Sequence, residues 1–191
     1  SDFIGYCIVL FDTLVRFFLT SDDPKSKARA LTLSKKLNIE IFKKPPQKQI
    51  KEFSEDYFFT CSKGRLFLKK GLRQNSKPIF SDFDDWAKNY DDNLLKNSTK
   101  GLPANFSCLD LTAGFGKDAL EISKVVNCKS LVLVEKEAWV FELLVDGIKN
   151  ISCSRAGGLL KKFKTFKMDN LEFLESKNET FDLIYIDPMF L

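Results

Sequence analysis

Between residues 108 and 186 short apolar runs alternate with stretches of helical spacing, and this rhythm constrains the fold more than any other feature of the chain. The runs 108–111, 130–134, 163–168 and 181–186 are strand-like, and between them 117–126, 137–150 and 171–176 are helix-like. Strand, crossover helix and strand in series place the strands parallel in one sheet, with right-handed crossovers. The fold class expected is therefore α/β, with an open parallel sheet. Four strands are visible where such a sheet usually has more. The chain opens at Ser1 and stops at Leu191 directly after the last strand, so the C-terminal strands are expected to be absent.

Residues 1–90 have a different texture and predict a small N-terminal α/β subdomain. Residues 4–11 suit a strand or the start of a buried helix. Pro24, followed by Ala28, Leu31, Leu33 and Leu37, predicts an amphipathic helix ending near Asn38. Pro45 and Pro46 break the chain, after which 57–61, 65–68 and 79–83 are short strand candidates, with Ser62, Lys63 and Gly64 as a hairpin turn. Residues 3–19 are apolar, but Asp12 and Arg16 interrupt them and no basic segment precedes them, so a membrane or targeting role is disfavoured. Residues 84–102 turn polar and suggest a surface helix ending at Gly101 and Pro103. The domain boundary is placed after it begins, giving units 1–90 and 91–191.

Composition narrows the chemistry. Of 191 residues 44% are hydrophobic and 29% charged, which excludes disordered and low-complexity classes. The 30 Lys and Arg against 26 Asp and Glu leave +4, which permits a phosphate-rich partner without requiring one. There is no His, which removes Ser-His and Cys-His pairs and the commonest zinc ligand. The five cysteines are odd in number, scattered and never in a C-x-x-C pair, so neither a disulfide framework nor a metal site is expected, and reduced thiols in a cytoplasm are.

Chemistry gathers at the ends of the apolar runs. Asp110-Leu111-Thr112-Ala113-Gly114-Phe115-Gly116-Lys117-Asp118-Ala119 lies where a strand gives way to a helix; Gly114 and Gly116 allow a tight turn, and Ala119 fills the third small position of a dinucleotide-type fingerprint. Glu135, about 20 residues on at the end of the next strand, sits where an acid binds ribose hydroxyls. The two together favour a nucleoside-bearing cofactor at the carboxyl edge of the sheet, without separating NAD from S-adenosylmethionine. Asp169 and Asn170 follow the third strand, where they could hold an adenine or cap the helix after them.

The last run ends in Asp187-Pro188-Met189-Phe190, which resembles the (Asn/Asp)-Pro-Pro-(Tyr/Phe) motif of methyltransferases acting on exocyclic amino nitrogens. A base amino group is a poor nucleophile because its lone pair is delocalised into the ring. The Asp187 carboxylate and Pro188 carbonyl can accept its two N–H bonds and turn the lone pair toward a methyl sulfonium, while Phe190 stacks on the base. Orientation then does most of the work, and no histidine base is needed.

Asp110 to Ala119, Val134-Glu135-Lys136 and Tyr185 to Phe190, with Ile79-Phe80-Ser81-Asp82-Phe83 upstream, resemble the ribosomal RNA small-subunit methyltransferase J family. The resemblance runs from about Leu66 to the chain end and is densest after Leu109. It implies a Rossmann-like class I methyltransferase domain that uses S-adenosylmethionine to methylate a guanine N2 in 16S ribosomal RNA, with that RNA or the small ribosomal subunit as partner. It also implies cofactor contacts at Lys117, Asp118, Glu135, Lys136, Asp169, Asn170 and Asp187, beside Asp110, Gly114 and Gly116. Residues 84–100 are acidic where that family is glycine- and arginine-rich, and Asp169 and Asn170 replace small hydroxyl residues. The alternatives are methylation of adenine N6 or of a protein glutamine, a nicotinamide-dependent oxidoreductase, and a non-catalytic RNA-binding remnant.

Overall fold

A computed structural model describes residues 7–10, 13–21, 23–41, 56–71 and 77–187. The chain divides between Phe80 and Ser81 into two compact units.

Among the described residues the first unit is a four-stranded sheet with one long helix. β1 (Cys7–Leu10) and β2 (Thr13–Ser21) form an antiparallel pair, so the described residues of the 3–19 stretch are strand. Helix α1 (Pro24–Leu37) then carries the chain back to β3 (Tyr57–Ser62), which lies parallel to β2, and β4 (Arg65–Lys70) closes an antiparallel hairpin. The sheet order is β1-β2-β3-β4. Proline at the first turn suits α1 because its missing N–H has no intrahelical partner there. Asp23 caps the helix, accepting the Ser26 N–H at 2.9 Å, and Asn38 ends it in the left-handed conformation. Of the strand expected over 79–83, Ile79 makes an isolated bridge to Leu68, and Phe83 already opens a helix.

The second unit begins with two short helices, α2 (Phe83–Asn89) and α3 (Asn93–Ser98), where a single helix was expected. Tyr90 is extended between them, and Asp92 caps α3 by accepting the Leu95 N–H at 3.0 Å. Phe83 and Ala87 are buried in the core of this unit, which is why the division falls ahead of α2 and not at the 90/91 boundary.

The rest alternates as the apolar rhythm requires: β5 (Phe106–Asp110), α4 (Lys117–Ser123), β6 (Cys128–Glu135), α5 (Ala138–Lys149), α6 (Ser154–Leu160), β7 (Phe163–Lys167), α7 (Asn170–Ser176) and β8 (Leu183–Tyr185). The sheet order is β7-β6-β5-β8, all parallel. Period-two alternation splits the strands between two layers. Cys108, Leu131 and Leu133 pack with Leu120, Ile122 and Leu144 on one face; Leu109, Val132 and Val134 pack with Phe173 on the other. Helix α6 has no counterpart in the sequence reading, because Gly157 and Gly158 weaken its local signal. Its entry is held from a distance: the Asp84 carboxylate on α2 accepts the Ser152 and Cys153 N–H groups just ahead of the helix, each at 2.9 Å.

Candidate functional site

All four strands of the second sheet end on one side, so the loops after β5, β6, β7 and β8 share one edge, and the strand order reverses between β5 and β8. Crevices at such reversals are where open α/β sheets bind ligands. The turn after β5 is pinned from both flanks: Leu111 N–H donates to the Tyr185 carbonyl and Ala113 N–H to the Val134 carbonyl, each at 3.1 Å. Gly114 and Gly116 are left-handed, with φ of +53° and +83°. A Cβ on Gly116 would stand 2.7 Å from Leu144 Cδ1 and 2.9 Å from Phe83 Cζ, so this glycine serves packing as well as the turn. Around Gly114 the space is open apart from the Thr112 carbonyl at 3.8 Å.

Glu135 closes on that turn. One carboxylate oxygen accepts the Gly114 N–H at 2.9 Å and the other accepts the Glu137 N–H at 2.7 Å. The side chain is thereby fixed, and each oxygen keeps a lone-pair direction for a ligand hydroxyl. Burial pushes its carboxyl above the usual range, and the two N–H groups limit the rise.

Asp110 lies beneath the turn at 1% exposure and accepts the Thr112 N–H at 2.9 Å. Its carboxyl is pushed up to about 7, first by burial and further by the charges of Asp118 and Glu135. A carboxylate repelled by its own neighbours is a receptive partner for a cation. Asp187, exposed just beyond β8, is tied to the same turn through its backbone N–H, which donates to Thr112 Oγ1 at 2.8 Å. Asp118, in the first turn of α4, accepts the Tyr185 hydroxyl at 3.0 Å. Burial and the Asp118 charge raise the Tyr185 phenol, so it remains a donor.

The other anticipated residues stand along this edge. The Lys117 ammonium rests 3.7 Å from the centroid of the Tyr90 ring, a cation–π contact. Lys136 is exposed next to Glu135. Asp169 caps α7, accepting the Leu171 N–H at 2.9 Å, and Asn170 opens that helix beyond β7, so the capping alternative is realised. Pro188 and Phe190 lie outside the described residues.

Four contributors were not singled out from sequence: Thr112, Tyr185, Ser81 and Gly147. The Ser81 hydroxyl donates to the Phe115 carbonyl at 2.8 Å and so anchors the glycine turn. Gly147 lets Ser81 approach α5; a Cβ there would fall 2.6 Å from the Ser81 carbonyl oxygen. Ser81, Thr112 and Tyr185 lie within the stretches that carry the resemblance, whereas nothing in the sequence marked Gly147.

The arrangement suits a ligand that carries a diol for Glu135 and positive charge for the Asp110, Asp118 and Asp187 carboxylates. An S-adenosyl donor has a ribose diol, a sulfonium and an ammonium group, and it fits these residues.

The family described as "Putative SAM-dependent methyltransferase" matches residues 47–191. A protein of Francisella tularensis subsp. holarctica named "Ribosomal RNA small subunit methyltransferase J" is 24% identical over 168 residues, covering 81% of this chain and 69% of its own. Its namesake in Tolumonas auensis is 25% identical over 180 residues, covering 89% and 67%. Among solved structures, a SAM-dependent methyltransferase from Neisseria gonorrhoeae superposes with a TM-score of 0.69 at 19% identity, over 91% of this chain and 70% of that one.

Proposed function

The chain belongs to the SAM-dependent methyltransferase family, and from that premise we propose that it methylates the exocyclic N2 of a guanine in 16S ribosomal RNA, as free RNA or in the small ribosomal subunit. Family membership selects a methyl donor over a nicotinamide. The relatives named for small-subunit ribosomal RNA support the substrate. The observation that carries the reading is the tie between distant loops: Glu135 on the Gly114 N–H, and the Asp187 N–H on Thr112 of the same turn.

When bound, S-adenosylmethionine supplies an electrophilic methyl group on a sulfonium. Glu135 holds the ribose hydroxyls, with Gly114 leaving room above the turn. Asp110 and Asp118 set a negative field that favours the cationic donor over its neutral-sulfur product. The Asp187 carboxylate accepts an N–H of the guanine amino group, turning the nitrogen lone pair out of conjugation, and the Pro188 carbonyl and Phe190 ring complete the grip. The proton released after transfer leaves through Asp187 to solvent, to which that side chain is open. Tyr185 and Thr112 position Asp118 and the Asp187 backbone. No helix among the described residues is long and apolar enough to cross a membrane; the proposed ribosomal substrate supports a cytoplasmic location.

The test is incubation with labelled S-adenosylmethionine and undermethylated 16S RNA or small subunits, followed by nucleoside analysis. N2-methylguanosine is expected. Label in N6-methyladenosine or in protein would overturn the substrate, and Asp187→Ala should abolish turnover with only a partial loss of S-adenosylhomocysteine affinity.

A further inference from the structure

We infer that the N-terminal unit is the RNA-docking half of the protein, gripping phosphates of the RNA on the exposed face of α1 and the adjoining β3–β4 turn. This assignment rests on the ribosomal RNA reading above and gives residues 1–80 a role that the methyl-transfer site leaves open.

Charge is segregated between the units. Residues 1–80 contain 16 Lys and Arg against 8 Asp and Glu, whereas residues 81–191 contain 14 against 18, which together make the chain's 30 and 26. The modest overall +4 thus hides +8 in one unit and −4 in the other. RNA affinity comes largely from cationic side chains that displace counterions from phosphates. A unit with surplus carboxylates, several of them gathered at the catalytic edge, repels that backbone. The attraction has to come from the other unit.

Within the first unit five of the 16 basic groups lie on one element. Helix α1 contains Lys25, Lys27, Arg29, Lys35 and Lys36 and no Asp or Glu. It buries Ser26, Ala30 and Leu33 against the sheet, which leaves Lys27, Leu31 and Lys35, at i, i+4 and i+8, along its exposed face. The β3–β4 turn is fastened to the same helix. Arg29 Nη1 donates to the Gly64 carbonyl at 2.6 Å, and the Lys63 N–H donates to the capping carboxylate of Asp23 at 3.1 Å. The exposed Lys63 side chain therefore extends the basic surface past the end of α1. Leu31 is the single large apolar side chain on that exposed stripe, too little for insertion into a bilayer, and this favours RNA over an anionic membrane.

The test uses the full chain carrying Lys27→Glu, Lys35→Glu and Lys63→Glu together, with a 16S RNA transcript as probe and binding followed by fluorescence anisotropy between about 50 and 200 mM salt. The unaltered chain should bind with a steep salt dependence. The triple variant should bind at least about tenfold more weakly at the low-salt end, with a slope in log K against log salt smaller by about 2. Its KM for RNA should rise while kcat and S-adenosylhomocysteine affinity stay unchanged, which also shows that it is folded. A matched variant of exposed lysines in the second unit, Lys129→Glu, Lys164→Glu and Lys167→Glu, should leave RNA binding within about threefold.

Native RNA affinity in the first variant overturns the assignment, as do equal losses in both variants or a preference for phosphatidylglycerol vesicles over RNA. If the unaltered chain neither binds nor methylates the RNA, the ribosomal reading fails and takes the docking surface with it. If it methylates the RNA and the first variant does so equally well, only the docking surface fails.

Discussion

Asp110 is the residue whose chemistry depends most on its surroundings. Its pKa of about 7 lies above the ordinary value of 3.8, so the folded chain holds a proton there that the unfolded chain gives up. The stability tied to that proton is complete below pH 3.8 and is lost as pH rises toward 7. Asp110→Asn, which keeps an oxygen for the Thr112 N–H, should therefore raise the melting temperature more at pH 8 than at pH 5. A shift of equal size at both would show that the aspartate titrates normally. With Asp110 facing the donor's positive charge, as proposed above, donor binding should strengthen as pH rises through about 7, measurable by calorimetry, and Asp110→Asn should flatten that profile. At Gly147 the constraint is space. A Cβ would press on the Ser81 backbone, so Gly147→Ala should cost about 1–3 kcal/mol by overpacking in urea unfolding, and a loss below about 0.5 kcal/mol would mean that α5 simply shifts.

At the scale of elements, the break between α2 and α3 is held from α4. Lys124 donates to the carbonyls of Trp86 at 3.1 Å and Tyr90 at 2.5 Å and pairs with the fully buried Glu121, which also accepts the Asp92 N–H at 3.2 Å. These bonds take up the backbone groups that the interrupted helix leaves over. They also set Tyr90 across Lys117. Lys124→Met strands a buried carboxylate and should destabilise by about 3–5 kcal/mol, while Lys124→Met with Glu121→Leu should recover part of that loss. If the single variant loses under about 1 kcal/mol, the pair is not what fixes the break. Strands β3 to β8 and the helices α1, α4, α5 and α7 were legible from apolar spacing, Pro24, Asn38 and the glycine turn, because those signals are local. The α2–α3 break and helix α6 were not, because their stabilising partners, Lys124 and Asp84, act from other elements.

For the whole molecule, the two units divide the labour. The residues that fit the donor all lie beyond Ser81, and the basic excess lies before it. Loosening the first unit should then leave the donor site alone. Asp23→Ala removes the α1 cap and its bond to Lys63, at a cost of about 1 kcal/mol. S-adenosylhomocysteine affinity should stay within about twofold by calorimetry; a tenfold loss would mean that the site draws on the first unit.

The sequence by itself determined the parallel α/β sheet, the strand ends where chemistry gathers, and the pairing of a glycine turn with an acid one strand later. Hydrophobic period, glycine and proline act over a few residues and can be read there. Only the tertiary structure decided that Thr112 would receive the Asp187 backbone, that Tyr185 would hold Asp118, and that Ser81 would reach Phe115 across a helix kept bare by Gly147. Those contacts join residues far apart along the chain, and a hydrogen bond of that kind has no sequence signature until the sheet has brought its ends together.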